Sequence, residues 1–279
     1  MNHSYMADPT FTTLRDARDL ILGNRPAQSA VRRGARAGLL PEWLYRRIQP
    51  LGKHPVTTPA GNTVAYVSNH KDQLARSIIW PGDWERTSLR VFSELAQNAR
   101  VVVDGGAHTG IYSLVAAADT RAEIVAFEPN PEILPSLRCN VATNGYGNRI
   151  EVVEAALSAT PGETRLALNP DISAVSINGE DGPTVNVTTL DLAIAHRPVD
   201  LIKLDIERHE IQALRGAKQL LTGKPDLILE ILSQTVFEDI AAYLTDYGYR
   251  HIWWLGDKPR AATRKLHLPG QPGNYHFSA

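Results

Sequence analysis

The 279-residue chain predicts a doubly wound α/β fold: a mostly parallel sheet with helices on both faces. Three observations carry this expectation. First, Val101 to Asn130 reads as strand, glycine turn, helix and strand. Three β-branched residues lead to Asp104, then Gly105, Gly106 and Gly110, then the apolar run Ile111–Ala118, then Ile124–Phe127. Second, short apolar runs alternate with helical patterns from there to Leu255. Third, four of those runs end at or near an acid: Asp104, Glu128, Asp205 and Glu230.

The elements follow in order. Residues 1–10 read as a loose tail. Phe11, Leu14, Ala17, Leu20 and Ile21 have helical spacing, and Gly23, Asn24 and Pro26 stop that helix. Further helices are expected over Ser29–Leu40 and, with Pro41 in its first turn, over Pro41–Ile48. Arg32, Arg33, Arg36, Arg46 and Arg47 on them read as solvated arginines whose stems coat apolar surface. Three prolines and a glycine break Pro50–Pro59, and a boundary is placed there: residues 1–60 as a helical cover, 61–279 as the main domain with its core at 100–255. Val56–Val67 reads as a hairpin around Ala60-Gly61-Asn62, followed by helices at Asp72–Ile79 and Glu85–Gln97. Trp80 and Trp84 between them suit either a core staple or a lid.

After the opening strand–turn–helix–strand come a helix at Pro131–Asn144, a strand at Ile150–Val153, and two antiparallel strands at Gly162–Leu168 and Thr184–Val187. The latter pair flanks a loop, Asn169–Gly182, with the composition of a substrate-facing segment. Thr188-Thr189 caps a helix to His196 with Asp191 in its first turn. Leu201–Leu204, Leu227–Ile231 and Tyr249–Leu255 are strands, with helices at Glu210–Leu221 and Phe237–Tyr247 between them. Asn274–Phe277 is a seventh strand at the edge. Trp253 and Trp254 are expected to pack the sixth strand.

Composition excludes several function classes. Apolar residues make up 43%, enough for a sizeable core, and the formal net charge of −1 gives no drive toward nucleic acid or an anionic membrane. Cys139 is the lone cysteine, so no intrachain disulfide forms. No window approaches the ~18 apolar residues of a membrane span. The polar N-terminus lacks an apolar signal core, so a cytoplasmic protein is expected, with oligomeric state open.

The glycine turn selects among ligands. A dinucleotide turn has glycines two residues apart at its end, whereas Gly106 and Gly110 are separated by three. An acid immediately before the glycines would repel a pyrophosphate, and no G-K-[ST] follows for a P-loop. A cationic adenosyl ligand fits better. S-adenosylmethionine carries an ammonium and a sulfonium, for which Asp104 is a candidate partner, while Glu128 is placed to accept from both ribose hydroxyls. Gly105, Gly106 and Gly110 would let backbone approach the ligand, or serve ordinary strand–helix packing. His108, Pro129, Asn130, Ser158 and Glu85 complete the candidate cofactor set. Helix capping is the alternative role for the two acids.

These residues also carry a resemblance. Asp104-Gly105-Gly106-Ala107-His108-Thr109-Gly110, Phe127-Glu128-Pro129-Asn130-Pro131-Glu132, Ala156-Leu157-Ser158, Val187-Thr188-Thr189-Leu190-Asp191, Ile202-Lys203-Leu204-Asp205-Ile206-Glu207 with Glu210, and Leu214-Arg215-Gly216-Ala217 together resemble the FkbM family of S-adenosylmethionine-dependent methyltransferases. The resemblance covers about residues 78 to 232. It implies a class I methyltransferase (Rossmann-like) fold and O-methylation of hydroxyls on sugars or polyketide-type natural products. One departure stands out. The family reads Asp-x-Glu-Gly after the fourth core strand, and here Arg208 replaces the glycine.

The loop from Lys203 to Glu210 should face the transferred methyl. It lacks the [N/D]-P-P-[Y/F] tetrapeptide of amino-methylating enzymes on this fold. A hydroxyl acceptor needs a base, for which Asp205, Glu207 and His209 are the candidates, with Glu230 further out. Asp205 and Glu207 could instead hold Mg²⁺. Lys203 is expected to pair with one of the acids. The expectation is therefore an O-methyltransferase acting on a small hydroxylated molecule. The alternatives are a nucleic-acid base methyltransferase and a non-catalytic scaffold that binds adenosyl ligands.

Overall fold

The computed structural model describes residues 25–69, 72–167, 179, 181–194, 196–256 and 272–279. The helix expected over Phe11–Leu22 and most of the Asn169–Gly182 loop lie outside the described residues.

In chain order, the elements begin with α1 (Arg25–Arg36), α2 (Glu42–Tyr45), β1 (Gly52–Thr57), β2 (Thr63–Ser68), α3 (Ala75–Ile79) and α4 (Arg86–Ala96). The core continues with β3 (Val101–Gly105), α5 (Ile111–Asp119), β4 (Glu123–Phe127), α6 (Leu134–Thr143) and β5 (Ile150–Val153). Three short strands follow, β6 (Ala156–Leu157), β7 (Gly162–Arg165) and β8 (Thr184–Thr188). Then come α7 (Leu190–Ile194), β9 (Val199–Leu204), α8 (Glu210–Arg215), α9 (Lys218–Thr222), β10 (Asp226–Ile231), α10 (Gln234–Asp246), β11 (His251–Trp254) and β12 (Gly273–Ser278).

The main sheet has seven strands in the order β11-β12-β10-β9-β3-β4-β5. The β10-β9-β3-β4-β5 run is parallel, and β12 pairs antiparallel with both β10 and β11. Alternate residues feed opposite layers, as the pleat requires. Val102, Ile124, Ala126 and Ile228 pack into one cluster; Val101, Val103, Val125, Phe127, Leu227 and Leu229 pack into the other. The mixed α/β doubly wound architecture is as expected.

Several elements differ from the sequence expectation, each for a physical reason. The helix expected over Ser29–Leu40 begins earlier, at Arg25, with Pro26 in its first turn, where a missing N–H costs nothing. The segment Pro50–Pro59 contains a strand: Pro55 sits inside β1, an outer strand of a two-stranded sheet, where its lost donor is tolerated. Residue 60 therefore falls in the turn of a hairpin. The helix expected over Glu210–Leu221 is two helices that part at Gly216-Ala217, where a Cβ on Gly216 would stand 2.1 Å from the Ser158 carbonyl. β12 is not an edge strand; it lies between β10 and β11.

The N-terminal hairpin is fixed to the core by polar pins. On α6, Asn140 Oδ1 accepts from the Val67 N–H at 2.6 Å, and Asn144 both accepts from and donates to Ala65 backbone at 2.8 Å. Trp80 is fully buried and donates to the Ile48 carbonyl at 2.7 Å, so it is a core staple. Arg46 pairs with Glu42, and Arg47 lies 5.6 Å over Trp43, in keeping with cover arginines. Trp253 stacks on His276 at 4.6 Å, packing β11. Among the described residues no helix is long and apolar enough to cross a membrane.

Candidate active site

The site is built where β3, β4, β9 and β10 end. Gly106, at φ 76°, turns the chain so sharply that its N–H and that of Ala107 both reach the Phe127 carbonyl, at 3.0 and 2.9 Å. A Cβ on Gly106 would lie 1.8 Å from the Asp205 carbonyl oxygen. Glycine is thus required for the loop after β9 to approach β3. That approach opens one cleft of about 260 Å³, with Glu128 toward β4 and Asp205 and Glu230 toward β9 and β10.

At the β4 end, Glu128 is 6% exposed and held by two backbone donors, His108 N–H to Oε2 and Asn130 N–H to Oε1, both at 2.8 Å. Burial pushes its carboxyl up to about 7 against these two bonds. Pro129 and Asn130 line the cleft beside it, as do His108 at φ 51° and the apolar wall Ala155, Ala156 and Leu157.

At the other end, one ligand oxygen each from Glu85, Asp205 and Glu230 lies within 4.8 Å of the others. Glu85, left-handed at φ 43° ahead of α4, accepts from Tyr112 Oη at 2.5 Å. Lys203 is 2% exposed, with Nζ 3.4 Å from Asp205, 3.8 Å from Asp104 and 4.5 Å above the Tyr112 ring. Burial alone would lower the Lys203 ammonium, but four surrounding carboxylates, Asp205, Asp104, Glu85 and Glu230, hold it well above the usual lysine range. Burial and Asp205 together push Glu230 far above the carboxylate range, and a hydrogen bond joins the two. The lysine pairing expected from the sequence is present.

The remaining candidates divide. Gly106, His108, Glu128, Pro129, Asn130, Glu85, Asp205, Glu207 and His209 line the cleft; Asp104, Gly105, Gly110 and Ser158 do not. Asp104 is fully buried and accepts from the Ser113 N–H and hydroxyl at 3.0 and 2.6 Å, so it anchors the first turn of α5. Gly105 abuts Leu204 and Leu157, and Gly110, at φ 93°, abuts Leu137. Both serve packing. The Ser158 hydroxyl bonds to His209 Nε2 at 2.9 Å, and burial lowers the histidine below its ordinary range.

The loop after β9 keeps the backbone of a glycine. Glu207 and Arg208 are both left-handed, at φ 55° and 71°. The buried Glu210 carboxylate accepts from the Ile206 and Arg208 N–H groups at 3.1 and 3.2 Å and holds that shape. Glu207 stands outside the three-acid group, so a cation shared by Asp205 and Glu207 has no such cluster among the described residues; Asp205 groups with Glu85 and Glu230. Sequence reasoning missed Asn274 and Tyr112. Asn274 faces Glu230 across the β10–β12 register and donates to Glu85, a relation that only the position of β12 creates.

Comparison with known proteins follows the same lines. The model of the methyltransferase FkbM domain matches residues 104–251, more than half of the chain. The hexuronic acid methyltransferase AglP of Haloferax volcanii is 24% identical over 171 residues, covering 58% of this chain and 68% of the relative. The crystal structure of a methyltransferase FkbM from Methylobacillus flagellatus KT aligns with a TM-score of 0.48 at 16% identity, over 76% of this chain and 56% of that one. The chain thus spans just over half the length of that structure. An S-adenosylmethionine-dependent O-methyltransferase of Thermotoga maritima aligns with a TM-score of 0.45 at 13% identity, over 81% of this chain and 76% of that one. The family model accounts for the glycine turn, Glu128 and the loop after β9 within a single match, and the chain belongs to the FkbM methyltransferase family.

Proposed function

We propose that the protein is an S-adenosylmethionine-dependent O-methyltransferase acting on a hydroxyl of a sugar or small natural product. The observation that carries this reading is the polarity of the cleft at the ends of β3, β4, β9 and β10. A carboxylate suited to neutral hydroxyls stands at one end and an excess of carboxylates at the other, with the Gly106 turn between them.

The residues present fit the cofactor. Each Glu128 oxygen is occupied by one N–H and keeps a lone pair for a ribose hydroxyl. Ala155, Ala156, Leu157 and Phe127 supply an apolar slot for a flat base. The acidic end attracts the ammonium and sulfonium. When bound, the cofactor supplies a methyl group whose carbon–sulfur bonding pair departs to sulfur.

The chain's part is alignment and proton removal. A hydroxyl held at the acidic end gives its proton to a carboxylate lining the cleft, with Asp205 the central member of that group. His209, kept neutral by burial, stands beside it and can orient the acceptor. The hexuronic acid named for the Haloferax relative supports a sugar acceptor. Such an acid offers both hydroxyls and a carboxylate, and the hydroxyl is favoured here because a carboxylate would face Glu85, Asp205 and Glu230.

Calorimetry with S-adenosylmethionine, then methyl transfer to glucuronic acid and glucose glycosides, tests the proposal. Binding of the cofactor with turnover on either acceptor supports it. No heat of binding overturns it, and binding without transfer to any hydroxylated acceptor leaves the scaffold reading. Tight RNA binding that weakens steeply with salt would favour the base-methylating alternative.

A further inference from the structure

The acidic end is electrostatically incomplete. Asp104, Asp205, Glu85 and Glu230 all face the single ammonium of Lys203, which leaves a formal excess of three negative charges in a largely buried space. Asn274 supplies a second observation: it is 6% exposed, its amide donates to Glu85, and its Oδ1 has no hydrogen-bond partner. A buried amide that reaches Glu85 and leaves its oxygen unpaired is an acceptor waiting for a donor or a cation.

We propose that Glu85, Asp205 and Glu230, with the amide oxygen of Asn274, form a divalent cation site of the Mg²⁺, Mn²⁺ or Ca²⁺ class. The donors are all oxygen, the preference of hard cations, and no histidine or cysteine joins the group among the described residues. Separations within 4.8 Å are those of ligands on one ion, since opposite ligands about 2.1–2.4 Å from a metal lie roughly 4.2–4.8 Å apart. A charge of +2 offsets most of that excess.

The ion's purpose, though not its binding, rests on the methyl-transfer reading. A divalent cation at the acceptor end lowers the pKa of a hydroxyl that it touches.

The test uses the full chain with Mn²⁺ alone as probe, followed by electron paramagnetic resonance and thermal melting. One Mn²⁺ per chain is expected, displaced by Mg²⁺, with a rise in melting temperature on binding. Glu230→Gln and Asp205→Asn should each weaken Mn²⁺ at least tenfold, while Glu207→Gln should not. The metal-free melting temperature of Glu230→Gln should lie within a few degrees of the wild type, which separates lost binding from lost folding. Absence of stoichiometric Mn²⁺ binding, or binding unchanged in Glu230→Gln, overturns the site. Cofactor calorimetry in chelator is scored separately. A chain that binds cofactor in chelator but shows no stoichiometric Mn²⁺ binding defeats the metal site and spares the proposed function; one that binds Mn²⁺ but not cofactor does the reverse.

Discussion

The two ends of the cleft hold their carboxylates in opposite ways. Glu128 sits between two backbone N–H groups, so its orientation is set before any ligand arrives. Glu85, Asp205 and Glu230 sit mostly against each other and share one ammonium. Preorganised donors cost nothing at the moment of binding, whereas crowded like charges store free energy that a cation releases. The first end is suited to recognising a constant part of the ligand, the second to a step in which charge changes. The sharpest way to break this division is Asp205→Asn. Loss of this carboxylate should lower kcat by about 10²–10⁴, the usual weight of a general base, while cofactor binding, which keeps Glu85, Glu230 and Glu128, weakens by less than about tenfold. Equal losses in both would show that Asp205 serves the cofactor rather than the reaction.

Glu128→Gln tests the opposite end. A glutamine oxygen can serve one of the two backbone donors, and its amide meets the other with like polarity. Charge-assisted bonds to hydroxyls contribute about 1.5–3 kcal/mol each. Cofactor binding should therefore weaken about 10- to 100-fold, with kcat at saturating cofactor within a few-fold of wild type. Equilibrium binding together with initial rates reads both. A kcat loss without a binding loss would reverse the roles assigned to the two ends.

Much of this was legible in the sequence, for reasons that also explain what was not. Strand-end acids could be found because β-branched runs mark β3, β4, β9 and β10, and a parallel sheet brings those ends to one edge. Asp104 shows the limit. Its place beside the glycines suggested a ligand contact; in the fold one carboxylate oxygen takes the Ser113 N–H and hydroxyl at the start of α5 and the other lies toward Lys203, partners that no local pattern reveals. Ser158 lies next to the cleft wall Ala155–Leu157, yet its hydroxyl goes to His209. Asn274 was invisible as a site residue because nothing local places β12 against β10. Pro55 was misread because a proline is compatible with β1 only as an outer strand, a fact of tertiary pairing.

Stability against pH sharpens the comparison further. Burial raises both Glu128 and Glu210 to about 7 and Asp72 to about 6, and Glu85, Asp104 and Glu230 move in the same direction. The folded state therefore binds protons more tightly than the unfolded chain, and stability falls as pH rises from about 4 to about 7. His54 and His209, lowered by burial, act the other way through about 6.5, but they are two against six. The melting temperature should drop by at least about 5 °C between pH 5 and pH 8. Glu230→Gln should flatten part of that slope. A melting temperature that climbs across this range would contradict the buried-acid account.

The smallest effect concerns backbone. The turn after β3 meets its sharpest left-handed demands with Gly106 and Gly110, whereas the loop after β9 meets them with Glu207 and Arg208. Arg208 is exposed and absent from the cleft wall, so its side chain gives no evident return for the strain. Arg208→Gly should relieve about 1–2 kcal/mol in the folded state. Glycine also loses more chain entropy on folding, about 0.5–1 kcal/mol. The net expectation is a gain of roughly 0.5–1 kcal/mol in denaturant unfolding, with Glu210 still bonded to the loop N–H groups and kcat unchanged within about twofold. A loss of stability would mean that Arg208 makes a compensating contact. A fall in kcat with stability gained would mean that the strained loop holds Asp205 and Glu207 in their working positions, and the acidic end would then be preorganised after all.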